Sequence, residues 1–192
     1  MPLVQLIDAS SAPLLLRELF AQSDPGPIVG ALAQVPELCE ATLPFIAAAL
    51  GPSLVPARLK EMVILRTSTT AECRYCVDAH TVVALDVGLS PDEVAVLRGE
   101  RPVGDFVPEP AERALLAWID ELASGRGPVS EARAEQLRRN FADHLIVELT
   151  VTVGATLFLN RFACALGLPT SADTANRITS VGFLPLNPPG AR

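Results

Sequence analysis

Apolar residues recur at helical spacing along almost the whole chain, and alanine and leucine dominate them. No run of strict apolar–polar alternation is bounded by turn residues, which predicts an all-α protein. A first helix is expected from Pro13 to Gln22, with Ser10 or Ser11 near its start, before Ser23-Asp24-Pro25-Gly26-Pro27 breaks the chain. A second runs from Pro36 to Leu50 and stops at Gly51-Pro52. Pro56 opens a third, through about Thr69, with Leu59, Met62, Val63 and Leu65 on its apolar side. The break Thr69-Thr70-Ala71-Glu72 separates it from a fourth, Cys73 to Val87, and Gly88 suits the left-handed position that ends a helix.

Ser90-Pro91-Asp92-Glu93 reads as a capping box with proline at the first helical position, starting a short helix to Leu97. A loop from Gly99 to Pro108 follows. Glu109 or Pro110 then starts a helix to Ala123 that carries Leu115, Leu116, Trp118, Ile119 and Leu122 on one side and ends at Ser124-Gly125-Arg126-Gly127-Pro128. Ser130 is expected to cap a helix to Asn140, and a long apolar helix runs from Asp143 to Leu166, stopped by Gly167. Beyond Pro169 the chain turns polar and then proline-rich, at Pro185, Pro188 and Pro189. The expected organisation is therefore one helical domain over residues 1–169 and an extended tail over 170–192. No repeat of fixed period and no long internal linker interrupts it.

Apolar residues make up 49% of the 192 positions and charged residues 19%, which is more apolar than an average soluble domain. A buried subunit interface would account for the excess, and so would a membrane span. The most apolar stretch, Leu145 to Leu168, contains Glu148 near its start and Asn160-Arg161 near its end. The charge-free run between them falls short of the roughly 20 residues that a bilayer requires, so a core helix is expected. Met1 to Ala21 has no basic leader and is interrupted by Arg17-Glu18, unlike a secretory signal, which points to the cytoplasm. The net charge is −7 and the basic residues are scattered, leaving no stripe for nucleic acid. Four cysteines in a cytoplasmic chain of this length point to metal or catalytic chemistry more than to a disulfide scaffold.

Cys73 and Cys76 stand three apart at the start of a predicted helix, on neighbouring positions of one face and near the positive end of its dipole. Helix N-termini, Cys-x-x-Cys spacing and a nearby imidazole all favour the thiolate, which is the reactive form. His80 follows Cys76 by one helical turn, the spacing at which side chains meet. Antiparallel packing across the Thr69–Glu72 break would bring Glu61 back beside His80, where a carboxylate would orient the imidazole.

Glu61, Cys73-x-x-Cys76 and His80, set in Glu61-Met-Val-Ile-Leu-Arg-Thr-Ser and Cys73-Arg-Tyr-Cys-Val-Asp-Ala-His80, resemble the signature of the AhpD-like family. This is the alkylhydroperoxidase branch of the carboxymuconolactone decarboxylase superfamily. The resemblance is strongest over Pro56 to Leu97 and looser around Asn160-Arg161-Phe162, which is similar to peroxidase-related members. It implies an all-α AhpD-like multi-helix bundle with the Cys-x-x-Cys helix in the core. It also implies a thiol-dependent hydroperoxide reductase without cofactor or metal, assembled as a homo-oligomer such as a dimer, trimer or hexamer. By the same resemblance Cys76 attacks the peroxide, Cys73 resolves the sulfenic acid as a disulfide, Glu61 and His80 relay the proton, and a dithiol or protein thiol restores the pair. The best-known peroxidase of the family has a histidine where this chain has Tyr75, which would sit beside the site. Decarboxylases of the superfamily generally lack the cysteine pair, which argues against lactone decarboxylation.

Two other readings of the same residues stand beside this one. The pair could cycle against protein thiols as a disulfide oxidoreductase or redox sensor. Alternatively Cys73, Cys76, His80 and Glu61 could hold a metal in a non-catalytic assembly, although that ligand set is an uncommon one for structural zinc. His144 reads as a solvated or capping residue and Trp118 as core. Cys39 and Cys164 read as inert core cysteines. Asn160 and Arg161 are assigned no chemistry.

Overall fold

In the computed structural model, which describes residues 2–107, 109–125 and 127–188, the helical pattern becomes ten α-helices and two short 3-10 turns. No strand occurs among the described residues. The first three helices are α1 (Arg17–Gln22), α2 (Gly26–Leu32) and α3 (Pro36–Leu50). The middle of the chain holds α4 (Ala57–Thr70), α5 (Arg74–Asp86), α6 (Pro91–Leu97) and α7 (Pro110–Ala123). Then come α8 (Glu131–Arg138), α9 (Asp143–Leu166) and α10 (Ala172–Ser180). Pro108, Arg126 and residues 189–192 of the expected loops and tail lie outside the described residues.

The centre of the fold is α4, which is buried on nearly every side from Lys60 to Leu65 and again at Thr67 and Ser68. It packs against α5, α7 and α9, and its Met62, Val63 and Leu65 share one apolar core with Val77, Leu97, Leu115, Ile119, Leu149 and Val153. Each such side chain contributes about 1.5–3 kcal/mol of transfer free energy when taken out of water. The charges that α4 carries inward are all paired, as buried charges must be. Arg66 grips Asp120 of α7 with two bonds of 2.6 and 2.8 Å, and Arg58 bridges Glu93 of α6 and Glu112 of α7. Lys60, only 2% exposed, reaches Glu148 of α9 at 3.0 Å and the Gly51 carbonyl after α3 at 2.5 Å. These pairs fix the orientation of α4 before any reactive group is considered.

The turn from α4 to α5 is tight. Glu72 takes a left-handed backbone, with φ of 56°, and the Cys73 N–H donates to the Ser68 carbonyl at 3.0 Å. That position usually belongs to glycine, since a Cβ there is unfavourable by about 1–2 kcal/mol. At the other end of α5, Gly88 is left-handed as expected, and the Ser90–Glu93 capping box of α6 is complete.

Several expectations are corrected. The break expected at Ser23–Pro27 runs straight into α2, because Pro27 occupies the start of a helix, where its missing N–H is not needed. The Pro13–Gln22 helix divides into a 3-10 turn over Leu14–Leu16 and α1. Ser130 does not cap α8 through its side chain, whose Oγ donates instead to Glu121 at 3.0 Å.

The expected extended tail over 170–192 contains α10, capped by Ser171 and buried at Ala175 and Ile178 against α5. The chain that follows is tied down. Asp78 of α5, fully buried, accepts hydrogen bonds from the Thr170 hydroxyl at 2.9 Å and from the Leu186 and Asn187 N–H groups at 2.8 Å each. Arg98 donates to the Leu184 carbonyl at 2.7 Å and stacks over Phe183. Polar residues at these positions had masked a short amphipathic helix and a docked strap.

By length and composition α9 is a helix that could cross a membrane. In the fold one face of it joins the core, with Leu149, Val153, Ala155 and Leu159 buried, and its Glu148 is paired to Lys60.

Candidate thiol site

The α4–α5 hairpin brings Glu61 and His80 together, with His80 Nδ1 at 2.8 Å from Glu61 Oε2. Glu61 is buried and His80 is half-buried. An ionised Glu61 can only accept, so Nδ1 carries the proton and Nε2 presents a lone pair.

The two cysteines occupy the N-terminus of α5, Cys73 as the residue before its first turn and Cys76 within that turn. Cys73 is wholly buried and Cys76 is 5% exposed. They interact directly and unequally. The Cys73 thiol is pushed up, first because its S–H is hydrogen-bonded to Cys76 and then by burial. The Cys76 thiol is pulled below its ordinary value, chiefly by the same hydrogen bond and, against the effect of burial, by a further one from Asn160. The pair is therefore unequal: Cys73 holds its proton the more tightly, and Cys76 is the more easily ionised of the two.

Asn160 is the residue that sequence reasoning missed. It is fully buried on α9, donates from Nδ2 to the Ser68 hydroxyl at 3.0 Å, and leaves Oδ1 without a partner. A signal for it existed: Thr152, Thr156 and Asn160 recur every four residues in an otherwise apolar helix, and all three are buried. Such a stripe marks polar groups that must be satisfied inside the protein. Thr152 meets the Ala49 carbonyl at 3.2 Å and Thr156 the Thr152 carbonyl at 2.7 Å, which leaves Asn160 to the thiol. The next member of the stripe is Cys164. Contrary to the expectation of an inert core residue it is exposed, and its thiol is pushed up to about 11, first by burial and then by the neighbouring Cys73. Cys39 does lie in the core, fully buried.

A cavity of about 270 Å³ opens onto this site. Ile28 and Val29 of α2, Leu43 and Ile46 of α3 and Leu159 of α9 form its apolar wall, while Cys76, His80, Tyr75, Ser68 and Asn160 form its polar end. Tyr75 is pushed up to about 12, first by burial and then by the charge of Cys76, so it remains a neutral phenol. Among the described residues no hydrogen bond runs from His80 to Cys76, yet both face the same cavity. A small molecule or water lying there would touch thiolate and imidazole together. Among the described residues no cluster of three or more His, Cys, Asp or Glu is arranged to hold a metal ion.

Residues 36–121 match the Carboxymuconolactone decarboxylase family. Among curated proteins none matches the chain. One similar solved structure is a cysteine-to-alanine variant of the debrominase Bmp8 in complex with 2,3,4-tribromopyrrole. It is 20% identical with a TM-score of 0.77, over 94% of this chain and 98% of that one. Another is a protein of unknown function from Agrobacterium tumefaciens, provisionally named for the antioxidant defence protein AhpD. It is 28% identical with a TM-score of 0.66, over 74% of this chain and 96% of that one. A third is an uncharacterised peroxidase-related protein from Ralstonia eutropha with an alkylhydroperoxidase AhpD core. It is 22% identical with a TM-score of 0.74, over 90% and 94% of the two chains.

Proposed function

We propose that this chain, whose residues 36–121 match the Carboxymuconolactone decarboxylase family, reduces hydroperoxides at Cys76. The observation that supports this reading is the unequal cysteine pair, whose Cys76 lines a cavity together with His80, itself bonded to Glu61 behind it. The Cys76 thiolate attacks the oxygen that bears the peroxide hydrogen and the O–O bond breaks. Cys76 becomes a sulfenic acid; the proton that the Cys76 thiol gives up on ionising is taken by His80 Nε2, and the imidazolium, held by Glu61, returns it to the departing alkoxide. The Cys73 thiol then attacks the sulfenic sulfur, releasing water and leaving a Cys73–Cys76 disulfide for a dithiol partner to reduce. The apolar wall suits an organic hydroperoxide with its polar end directed at Asn160 and Tyr75.

The test is consumption of an organic hydroperoxide with dithiol reductants. Cys76→Ser should abolish turnover, and Cys73→Ser should leave a sulfenic acid that a dimedone-type reagent traps at Cys76. Unchanged turnover in Cys76→Ser would end the proposal. Turnover of protein disulfides without peroxide consumption would favour the oxidoreductase reading instead. A second reading rests on the Bmp8 likeness together with the apolar cavity: reductive removal of halogen from a small aromatic ring, tested with 2,3,4-tribromopyrrole and the same reductants.

Within this proposal the protein works in the cytoplasm as a homo-oligomer. Val147, Val151 and Phe158 expose an apolar face of α9, and Leu38 and Phe45 do the same on α3, which suits contact with further copies.

A further inference from the structure

Of the two sulfurs in a Cys73–Cys76 disulfide, Cys73 is the chemically favoured target for a reductant. Thiol exchange is faster when the sulfur that leaves belongs to the more acidic thiol, and here that is Cys76. Yet Cys73 has no exposed surface and is not among the residues that line the cavity. It lies in a small apolar cluster with Cys76, Ala31 of α2, Ala163 of α9 and Leu168. The chain ahead of α1 packs on that cluster. Val4 and Leu6 are half-buried against it, while Leu3 and Gln5 alternate with them and face solvent. Among the described residues, the hydrogen bonds that tie this segment down run from the Leu3 N–H to the Leu166 carbonyl at 2.8 Å and from the Ile7 N–H to the Gly30 carbonyl at 2.9 Å. Gln34 Nε2 adds one to the Gln5 carbonyl at 2.7 Å. Segments with so few buried contacts open locally while the core stays folded.

We infer that residues 2–8 are a displaceable cover over Cys73, and that a dithiol protein reduces the Cys73–Cys76 disulfide when this segment lifts. The inference rests on the redox reading of the pair, whether the oxidant is a peroxide or another disulfide. With the cover lifted, the partner's thiolate attacks Sγ of Cys73. The Cys73–Cys76 bond breaks, a mixed disulfide forms, and the electron pair leaves with Cys76 as thiolate. The partner's second thiol loses its proton to solvent and attacks the partner's own sulfur in the mixed disulfide. Cys73 then leaves as a thiolate and takes a proton from solvent, and the partner departs oxidised. A small dithiol needs no such opening, because Cys76 is open to it through the cavity. The oxidant and the protein reductant thus use opposite approaches to one pair. Gly30 gives a handle on the cover. It lies within α2, and a Cβ there would stand 2.9 Å from the Ile7 carbonyl oxygen, too close for either atom to stay in place. Gly30→Ala therefore pushes on the segment without altering any reacting group.

The test uses the full-length protein oxidised with diamide, which requires no peroxidase activity. It follows the return of free thiols with a thioredoxin-type dithiol protein or with dithiothreitol, and amide hydrogen exchange across residues 2–8. In wild type the Leu3 and Ile7 amides should exchange faster than the amides of α9. Gly30→Ala and, independently, Leu6→Ser should raise the rate of reduction by the dithiol protein by about fivefold, the change in an opening equilibrium that goes with one lost backbone hydrogen bond. The rate with dithiothreitol should stay unchanged. Leu3 and Ile7 amides as slow as those of α9 overturn the inference, and so do unchanged protein-dithiol rates in both variants. Equal acceleration by both reductants overturns it too, since the whole site would then have loosened. If peroxide fails to oxidise Cys76, the peroxidase reading falls, while the diamide-made disulfide still decides the cover. If diamide fails to join Cys73 to Cys76, the redox reading of the pair falls and takes this inference with it.

Discussion

Replacing Asn160 by leucine removes a buried amide while nearly preserving its volume, and it isolates one of the forces that ionise Cys76. The amide donates to the Ser68 hydroxyl at 3.0 Å and supports the Cys76 thiolate from a fully buried position. A hydrogen bond to a charged group contributes about 1.5–3 kcal/mol. The Cys73 S–H still donates to Cys76 in the variant, so the lower end of that range applies. A loss of that size corresponds to roughly tenfold less thiolate at any pH below the thiol's midpoint. The assay is the rate of iodoacetamide alkylation of Cys76 against pH, read peptide by peptide, with a denaturation curve to confirm the fold. The profile should move to higher pH, and peroxide turnover at neutral pH should fall in parallel. An alkylation profile identical to wild type in a folded variant would show that Cys73 alone holds the thiolate and that Asn160 has no part in it.

Other outcomes follow from the same structure. Alkylation needs the thiolate, and Cys76 is pulled below the ordinary 9.0 while Cys164 is pushed up to about 11. In one titration the Cys76 peptide should therefore be modified at lower pH than the Cys164 peptide, and the reverse order would refute the charge assignment. Asp78→Ala leaves the Thr170 hydroxyl and the Leu186 and Asn187 N–H groups without their acceptor, which should cost about 3 kcal/mol or more in a urea titration and open the C-terminal strap to proteases. Glu72→Gly relieves the left-handed turn between α4 and α5 and should stabilise the protein by about 1 kcal/mol, read as a raised thermal midpoint.

The Glu61–His80 contact was legible because helical spacing and a short break leave α4 and α5 little choice but to fold back on each other. What escaped came from longer range. Asn160 stands 84 positions from Cys76 and looked like an interruption of an apolar helix; its role exists only once α9 lies against α5. Cys164 sits in an apolar sequence yet faces outward, because α9 is wide enough to be covered on one side and open on the other. Helices α2 and α10 were hidden by proline and by polar composition, and neither forms without the surfaces they cover.

The walls of the cavity divide its labour. The groups that would make and break bonds sit on the α4–α5 hairpin, inside the segment shared with the family. Ile28 and Val29, which face them, come from a seven-residue helix outside that segment. Part of the substrate-facing wall is thus encoded apart from the reacting groups, so that this part can drift while they are held. A library randomised at Ile28 and Val29 alone would sample new substrates on an unaltered reaction centre.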